Sequence, residues 1–96
     1  MEEILRNKNL ATKFQILVEI ASSGPNIQQR DIAKKLDVPP QAISDYIRQL
    51  VKEGLLASDG RSRYKVTSEG VNWIIKVLRE LRNYSTFITK AITNIS

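Results

Sequence analysis

The 96 residues contain neither cysteine nor histidine. The first absence excludes a disulfide framework, a thiolate metal site and a thiol nucleophile. The second removes the imidazole on which catalytic triads, two-histidine metalloprotease helices and most zinc or non-haem iron sites depend. Only an all-carboxylate site would remain, so composition argues against an enzyme and no cofactor is expected. Long apolar runs are missing too. The longest uncharged stretch, Ile20 to Gln29, has 10 residues and contains Gly24-Pro25, whereas a membrane-spanning helix needs about 20 apolar residues. The amino end, Met1-Glu2-Glu3, lacks the basic-then-apolar order of a secretory signal. These absences predict a soluble, cytoplasmic protein with no membrane partner.

What is present is ordinary globular composition, 42% hydrophobic and 26% charged, with 15 basic residues against 10 acidic ones. Apolar residues at helical spacing, Leu10, Phe14, Leu17, Val18 and Ala21, predict a first helix from about Leu10 to Ser22, stopped by Ser22-Ser23-Gly24-Pro25. A second, short helix begins after Ile27. With Gln28 as N-cap, Asp31 takes the third helical position, where the helix dipole favours an anion, and Ile27 with Ile32 forms a hydrophobic staple. Asp37-Val38-Pro39-Pro40 ends that helix, and Pro40 suits the first position of the next. The third helix carries an apolar stripe of Ile43, Ile47, Leu50 and Val51 and closes at Gly54 in a left-handed cap. Leu55-Leu56-Ala57 and Arg63-Tyr64-Lys65-Val66 then flank Ser58-Asp59-Gly60, a hairpin signal. A long fourth helix opens at Thr67 or Ser68. Its apolar residues keep a seven-residue repeat, with Val71, Leu78 and Ile92 at one position and Ile74, Leu81, Ile88 and Ile95 at the other, broken only by Ser85.

This order predicts a mainly α fold with a small β-hairpin, a winged helix-turn-helix over residues 1–67 followed by a long C-terminal helix over 68–96. Small Ala33 would let the second and third helices approach at their crossing. Residues Gln29 to Leu56 resemble the DNA-binding core of bacterial and archaeal winged-helix regulators of the MarR-like group. Arg30-Asp31-Ile32-Ala33-Lys34-Lys35-Leu36 and Ile47-Arg48-Gln49-Leu50-Val51-Lys52-Glu53-Gly54-Leu55 look like that family's signature segments, and Val66-Thr67-Ser68-Glu69-Gly70 like its wing-to-helix junction. The whole chain is most similar to the N-terminal domain of predicted archaeal transcriptional regulators. Asp37 and Pro39 depart from the pattern, standing where Gly and a capping Ser or Thr are usual.

The exposed face of the third helix is the first candidate site. Opposite the core stripe it presents Gln41, Asp45, Arg48 and Lys52, flanked by Ser44 and Gln49. Gln and Arg pair bidentately with adenine and guanine edges. Lys52 suits a phosphate, and Asp45 can accept from a cytosine amine or orient Arg48. The plain alternative is a solvated helix face. In the wing, Arg61, Arg63 and Lys65 alternate and share one strand face, with Tyr64 and Val66 on the other. That comb suits phosphates or the minor groove, while edge-strand charges that prevent aggregation have the same appearance. Residues 28–65 carry eight basic and five acidic side chains, and residues 1–27 balance to zero. Arg30 and Lys34, with Lys35, are weaker candidates for backbone contacts. Tyr46 and Trp73 read as partly buried packing residues. Pairs such as Asp31 with Asp45, or Glu53 with Glu69, have no feature that joins them in one cleft.

The expected partner is double-stranded DNA, bound sequence-specifically in transcriptional regulation without catalysis; any small-molecule effector is unspecified. Two rivals are a protein-interaction winged helix and a regulatory N-terminal domain of a larger enzyme or ligand-sensing protein. Val71, Ile74 and Leu78 are expected to cover the first helix. Leu81, Ile88, Ile92 and Ile95 then lack a partner, apart from Ile4 and Leu5, and predict a homodimer through the fourth helix. A missing C-terminal domain is the other occupant of that stripe.

Overall fold

The described helices open at residues whose local chemistry suits a helix start. The computed structural model describes residues 7–24, 26–60 and 63–95, with the backbone alone at Tyr84, Asn94 and Ile95. Helix α1 (Lys8–Ser23) is capped by Asn7, whose side chain accepts from the Asn9 and Leu10 amides at 3.0 and 3.3 Å. Helix α2 (Gln29–Leu36) opens with the Gln28 amide donating to Asp31 Oδ2 at 3.2 Å. Helix α3 (Pro40–Lys52) starts on Pro40, and Pro39 before it supplies no side-chain cap. Strands β1 (Leu56–Ser58) and β2 (Tyr64–Val66) form an antiparallel hairpin, and helix α4 (Ser68–Ile95) completes the chain. The fold is mainly helical with a small wing, as the sequence predicts.

One device ends both α2 and α3. Asp37 adopts a left-handed conformation with φ 54°, and its amide reaches the Lys34 carbonyl at 3.4 Å while Val38 reaches Ala33 at 3.1 Å. Gly54, with φ 80°, repeats the pattern: its amide donates to Val51 at 3.1 Å and the Leu55 amide to Leu50 at 2.9 Å. These are Schellman motifs, which satisfy the orphan carbonyls of a helix end and turn the chain sharply. The first makes the turn between α2 and α3. The second aims the chain into the wing.

The core gathers Ile16, Leu17 and Ile20 from α1, Ile32 and Ala33 from α2, Ile43, Ile47 and Leu50 from α3, and Leu56 from β1. Full burial of each of these leucine and isoleucine side chains stabilises the fold by about 1.5–3 kcal/mol. Ala33 sits at the α2–α3 crossing, where a larger side chain would hold the backbones apart. The stripe expected on α1 needs correction. Leu17 is buried, but Ile16 and Ile20 are its companions, Phe14 and Val18 are half-buried, and Ala21 is exposed. Because α1 touches α2, α3, β2 and α4, its covered arc is wider than one amphipathic face.

The wing also differs in detail. Its register pairs Leu56 with Val66, Ala57 with Lys65 and Ser58 with Tyr64, so Ser58 belongs to a strand and not to the turn. Leu55 stays outside β1 because its amide is committed to Leu50 and its carbonyl accepts from the Thr67 amide at 3.1 Å. Arg63 likewise precedes β2, and its carbonyl accepts from the Asp59 amide at 3.3 Å. Both strands therefore begin one residue later than the sequence suggests.

Thr67 and Gly70 fasten α4 to this body. The Thr67 hydroxyl accepts from the Gly70 amide at 3.0 Å, capping α4, and donates to the Gly54 carbonyl at 2.6 Å. A Cβ on Gly70 would lie 2.3 Å from the Leu55 oxygen and 2.6 Å from Val66 Cγ1, so only glycine allows this approach. That contact fixes which way α4 is rotated. Trp73 and Ile74 face the core, Trp73 meets Phe14 edge-on with ring centroids 6.1 Å apart, and Val77 is buried. The expected cover by Val71 and Leu78 is overturned: they are 44% and 51% exposed. Among the described residues, no helix is long and apolar enough to cross a membrane.

Candidate nucleic-acid interface

Helix α3 buries Ile43, Ile47 and Leu50 and so turns the opposite side outward. Gln41, Arg48, Gln49 and Lys52 are exposed there, while Ser44 and Asp45 are half-exposed. Asp45 organises this face. Its Oδ1 lies 3.4 Å from Arg48 Nη1 and accepts from Gln41 Nε2 at 3.5 Å. One carboxylate thus steadies a guanidinium and an amide on successive turns, leaving most of each side chain in solvent. The structure brings together the residues that the sequence proposes for α3.

Val51 is the exception to the α3 stripe. It is 36% exposed and lines a cleft between α3 and the wing, together with Gln29, Ser44, Ile47, Arg48, Ser58 and Tyr64. Tyr64 and Gln29 are the residues that sequence reasoning misses. Alternation assigns Tyr64 to the apolar side of β2, and its ring does pack on the core. Its hydroxyl nevertheless reaches the cleft rim and accepts from Gln29 Nε2 at 3.1 Å, tying the start of α2 to the wing. A tyrosine has an apolar ring and a polar tip, so period-two patterning sees only the ring.

On the wing, Arg63 and Lys65 are exposed and Tyr64 and Val66 half-buried, the alternation expected. Arg61 lies outside the described residues. Arg30 and Lys34 are exposed on α2 beside a second cleft, under the turn, that Asp37, Val38, Pro39 and Pro40 also line. Lys35 has a structural role, pairing with Glu19 of α1 at 3.0 Å. Lys13 does the same across the fold, holding Glu53 at the end of α3 at 2.6 Å. Glu53 is thereby separated in role from Glu69, which stands in the first turn of α4. The Tyr46 hydroxyl donates to Asn9 Oδ1 at 2.7 Å, a brace between α3 and α1. Among the described residues, no group of three acidic side chains could hold a metal ion.

Of the residues expected at an interface between copies, Leu81 is half-buried, whereas Ile88 and Ile92 are 36% and 62% exposed. The Ile95 side chain lies outside what is described, as do Ile4 and Leu5. Val71, Ile75 and Leu78 add to the open apolar surface on the first half of α4.

The sequence model of the MarR family matches residues 10–63, from α1 to the end of the wing loop. An uncharacterized protein of the archaeon Methanocaldococcus jannaschii is 39% identical over 88 residues, which cover 92% of this chain and 33% of that relative. The chain therefore spans about a third of the relative's length.

Proposed function

The chain belongs to the MarR family of winged-helix transcriptional regulators, and from that premise we propose that it binds double-stranded DNA sequence-specifically. Helix α3 enters the major groove, and the basic wing rests on the backbone. The observation that carries this reading is the outer face of α3, where Gln41 and Arg48 are exposed and both meet Asp45, Gln41 by a hydrogen bond and Arg48 by an ion pair. Both residue types read base edges with paired hydrogen bonds, and prior orientation lowers the entropy cost when they do. Lys52, Arg63 and Lys65, with Arg30 and Lys34, supply cations for the phosphates beside the bases. A partner protein docking on this face would call for an acidic or apolar surface, which Arg48 and Lys52 do not provide. Selection of bound sites from a random duplex library, with a salt titration alongside, tests the reading. A basic domain that enriches no site and binds every duplex alike would refute sequence-specific recognition.

The functional unit in this reading is a homodimer joined along α4, so that two α3 helices meet successive major grooves of an inverted repeat. The relative's greater length favours a second arrangement, in which the chain is the DNA-binding module of a longer regulator and α4 leads into the rest of it. The oligomeric state in solution separates the two.

A further inference from the structure

The cleft between α3 and the wing has a composition unlike either of its walls. Its outer wall on α3 bears Arg48, and the wing beside it carries Arg63 and Lys65. The cleft itself is lined by Ser44, Ser58, Tyr64 and the Gln29 amide, with Ile47, Val51 and the Arg48 guanidinium beside them and no carboxylate among its described lining residues. Two of its hydroxyl oxygens are already used as acceptors: Tyr64 takes the Gln29 amide at 3.1 Å, and Ser58 takes the Gly60 amide at 3.2 Å. Each hydroxyl proton is then left to donate outward. Held on the acceptor side, such a group is a directed donor in search of an anionic or carbonyl oxygen.

We infer that this cleft seats a single sugar-phosphate strand, held by hydroxyl donors beside Arg48, with the Tyr64 hydroxyl at their centre. The inference rests on the DNA-binding reading above and follows from duplex geometry. The major and minor grooves are separated by one backbone strand. If α3 lies in the major groove and the wing reaches towards the adjacent minor groove, the strand between the grooves must pass between α3 and the wing. Tyr64 and the two serines donate to its phosphate oxygens. The half-exposed Val51, which α3 does not bury in the core, lies against a deoxyribose. Gln29 is a positioning residue: it touches no DNA and fixes the direction in which the Tyr64 proton points.

The absence of charge on the Tyr64 hydroxyl makes its contribution separable from that of Arg48 and the other cations. A cation on a phosphate displaces a condensed counterion, so its removal flattens the salt dependence; a hydroxyl displaces none. Tyr64→Phe keeps the ring on the core and removes only the donor. It is expected to weaken binding on the order of tenfold, equally for a duplex bearing the selected site and a scrambled duplex of the same length. The slope of log K against log salt is expected to stay at the wild-type value. One neutral methylphosphonate at the contacted position should weaken the wild type more than it weakens Tyr64→Phe, the difference being the lost hydroxyl contact, and Gln29→Ala should give a smaller loss of the same kind. Thermal melting checks that both variants fold. Equal binding by wild type and Tyr64→Phe would overturn the inference, as would a loss confined to the selected site, a changed salt slope, or no coupled phosphate. Wild-type protein that binds neither duplex would instead remove the DNA-binding reading on which it stands.

Discussion

Arg48 Nη1 lies 3.4 Å from Asp45 Oδ1, one turn back along α3, with the two side chains 74% and 48% exposed. An ion pair so exposed contributes little to stability, because water screens it and two side chains lose freedom to form it. Its effect is on direction. The carboxylate lies on the same side of the helix as the guanidinium and favours the Arg48 rotamers that face it.

From this follows the first prediction. Arg48→Ala should cost about 1–3 kcal/mol at the preferred site and relax the base preference at the position it reads. Asp45→Ala should lower specificity while leaving the melting temperature nearly unchanged, since the pair is not a stabilising one. Site selection repeated on both variants checks this; an Arg48→Ala profile identical to the wild type would remove Arg48 from base readout.

The wing gives a second, different signature. Arg63 and Lys65 are exposed on one side of the hairpin while Tyr64 and Val66 turn inward. Replacing both cations with Ala should weaken binding to all sequences alike and reduce the slope of log K against log salt by ~0.9 for each phosphate no longer neutralised. A titration with the wild-type slope would mean that these side chains only keep the strand edge from aggregating.

Much of this molecule is legible in its sequence because its punctuation is strong. Gly54, Asp37, Pro40 and Thr67 each have a backbone requirement that few residues meet, and they fix the helix ends and hence the fold. Rotation of the helices about their own axes is harder to read. On α1 the apolar residues cover too wide an arc for periodicity to identify a centre, so Ile16 and Ile20 do not stand out. On α4 the seven-residue repeat belongs to no single neighbour. The body takes Trp73, Ile74 and Val77, because the missing Cβ of Gly70 lets that side approach Leu55 and Val66. The α3 site is visible because its residues are simple polar types opposite an aliphatic stripe. The Gln29–Tyr64 bond joins positions 35 residues apart, and no local pattern records such a contact.

The role of Gly70 supports a third prediction, on stability. Gly70→Ala would place a methyl group 2.3 Å from a backbone oxygen that is itself hydrogen-bonded to the Thr67 amide. The neighbour cannot rotate away, so α4 must shift, at a cost of about 1–3 kcal/mol. In a domain of this size, each kcal/mol lowers the melting temperature by roughly 4–8 °C. A thermal melt reads the effect directly, and an unchanged midpoint would mean that α4 is not pinned here.

The last prediction concerns the open face of α4. Its 28 residues extend about 42 Å at 1.5 Å per residue, and the molecule is accordingly elongated, 54 Å along one axis against 27 and 21 Å across. One side of its first half is spent on the body. The other side leaves Val71, Ile75 and Leu78 at 44%, 41% and 51% exposure, and Ile92 further along reaches 62%. We predict that this apolar face is an interface, and its seven-residue spacing suits another helix. Leu81 is a poor probe because it is half-buried in its own chain, whereas Leu78 and Ile92 can be charged without touching the core. Leu78→Lys with Ile92→Lys should therefore convert a dimer to a monomer in light scattering at tens of micromolar, with the body still folded. Binding to an inverted repeat should fall with it, while binding to an isolated half-site persists. A wild-type chain that is already monomeric at that concentration, and unchanged by the two lysines, would refute the homodimer and assign the stripe to the remainder of a longer regulator.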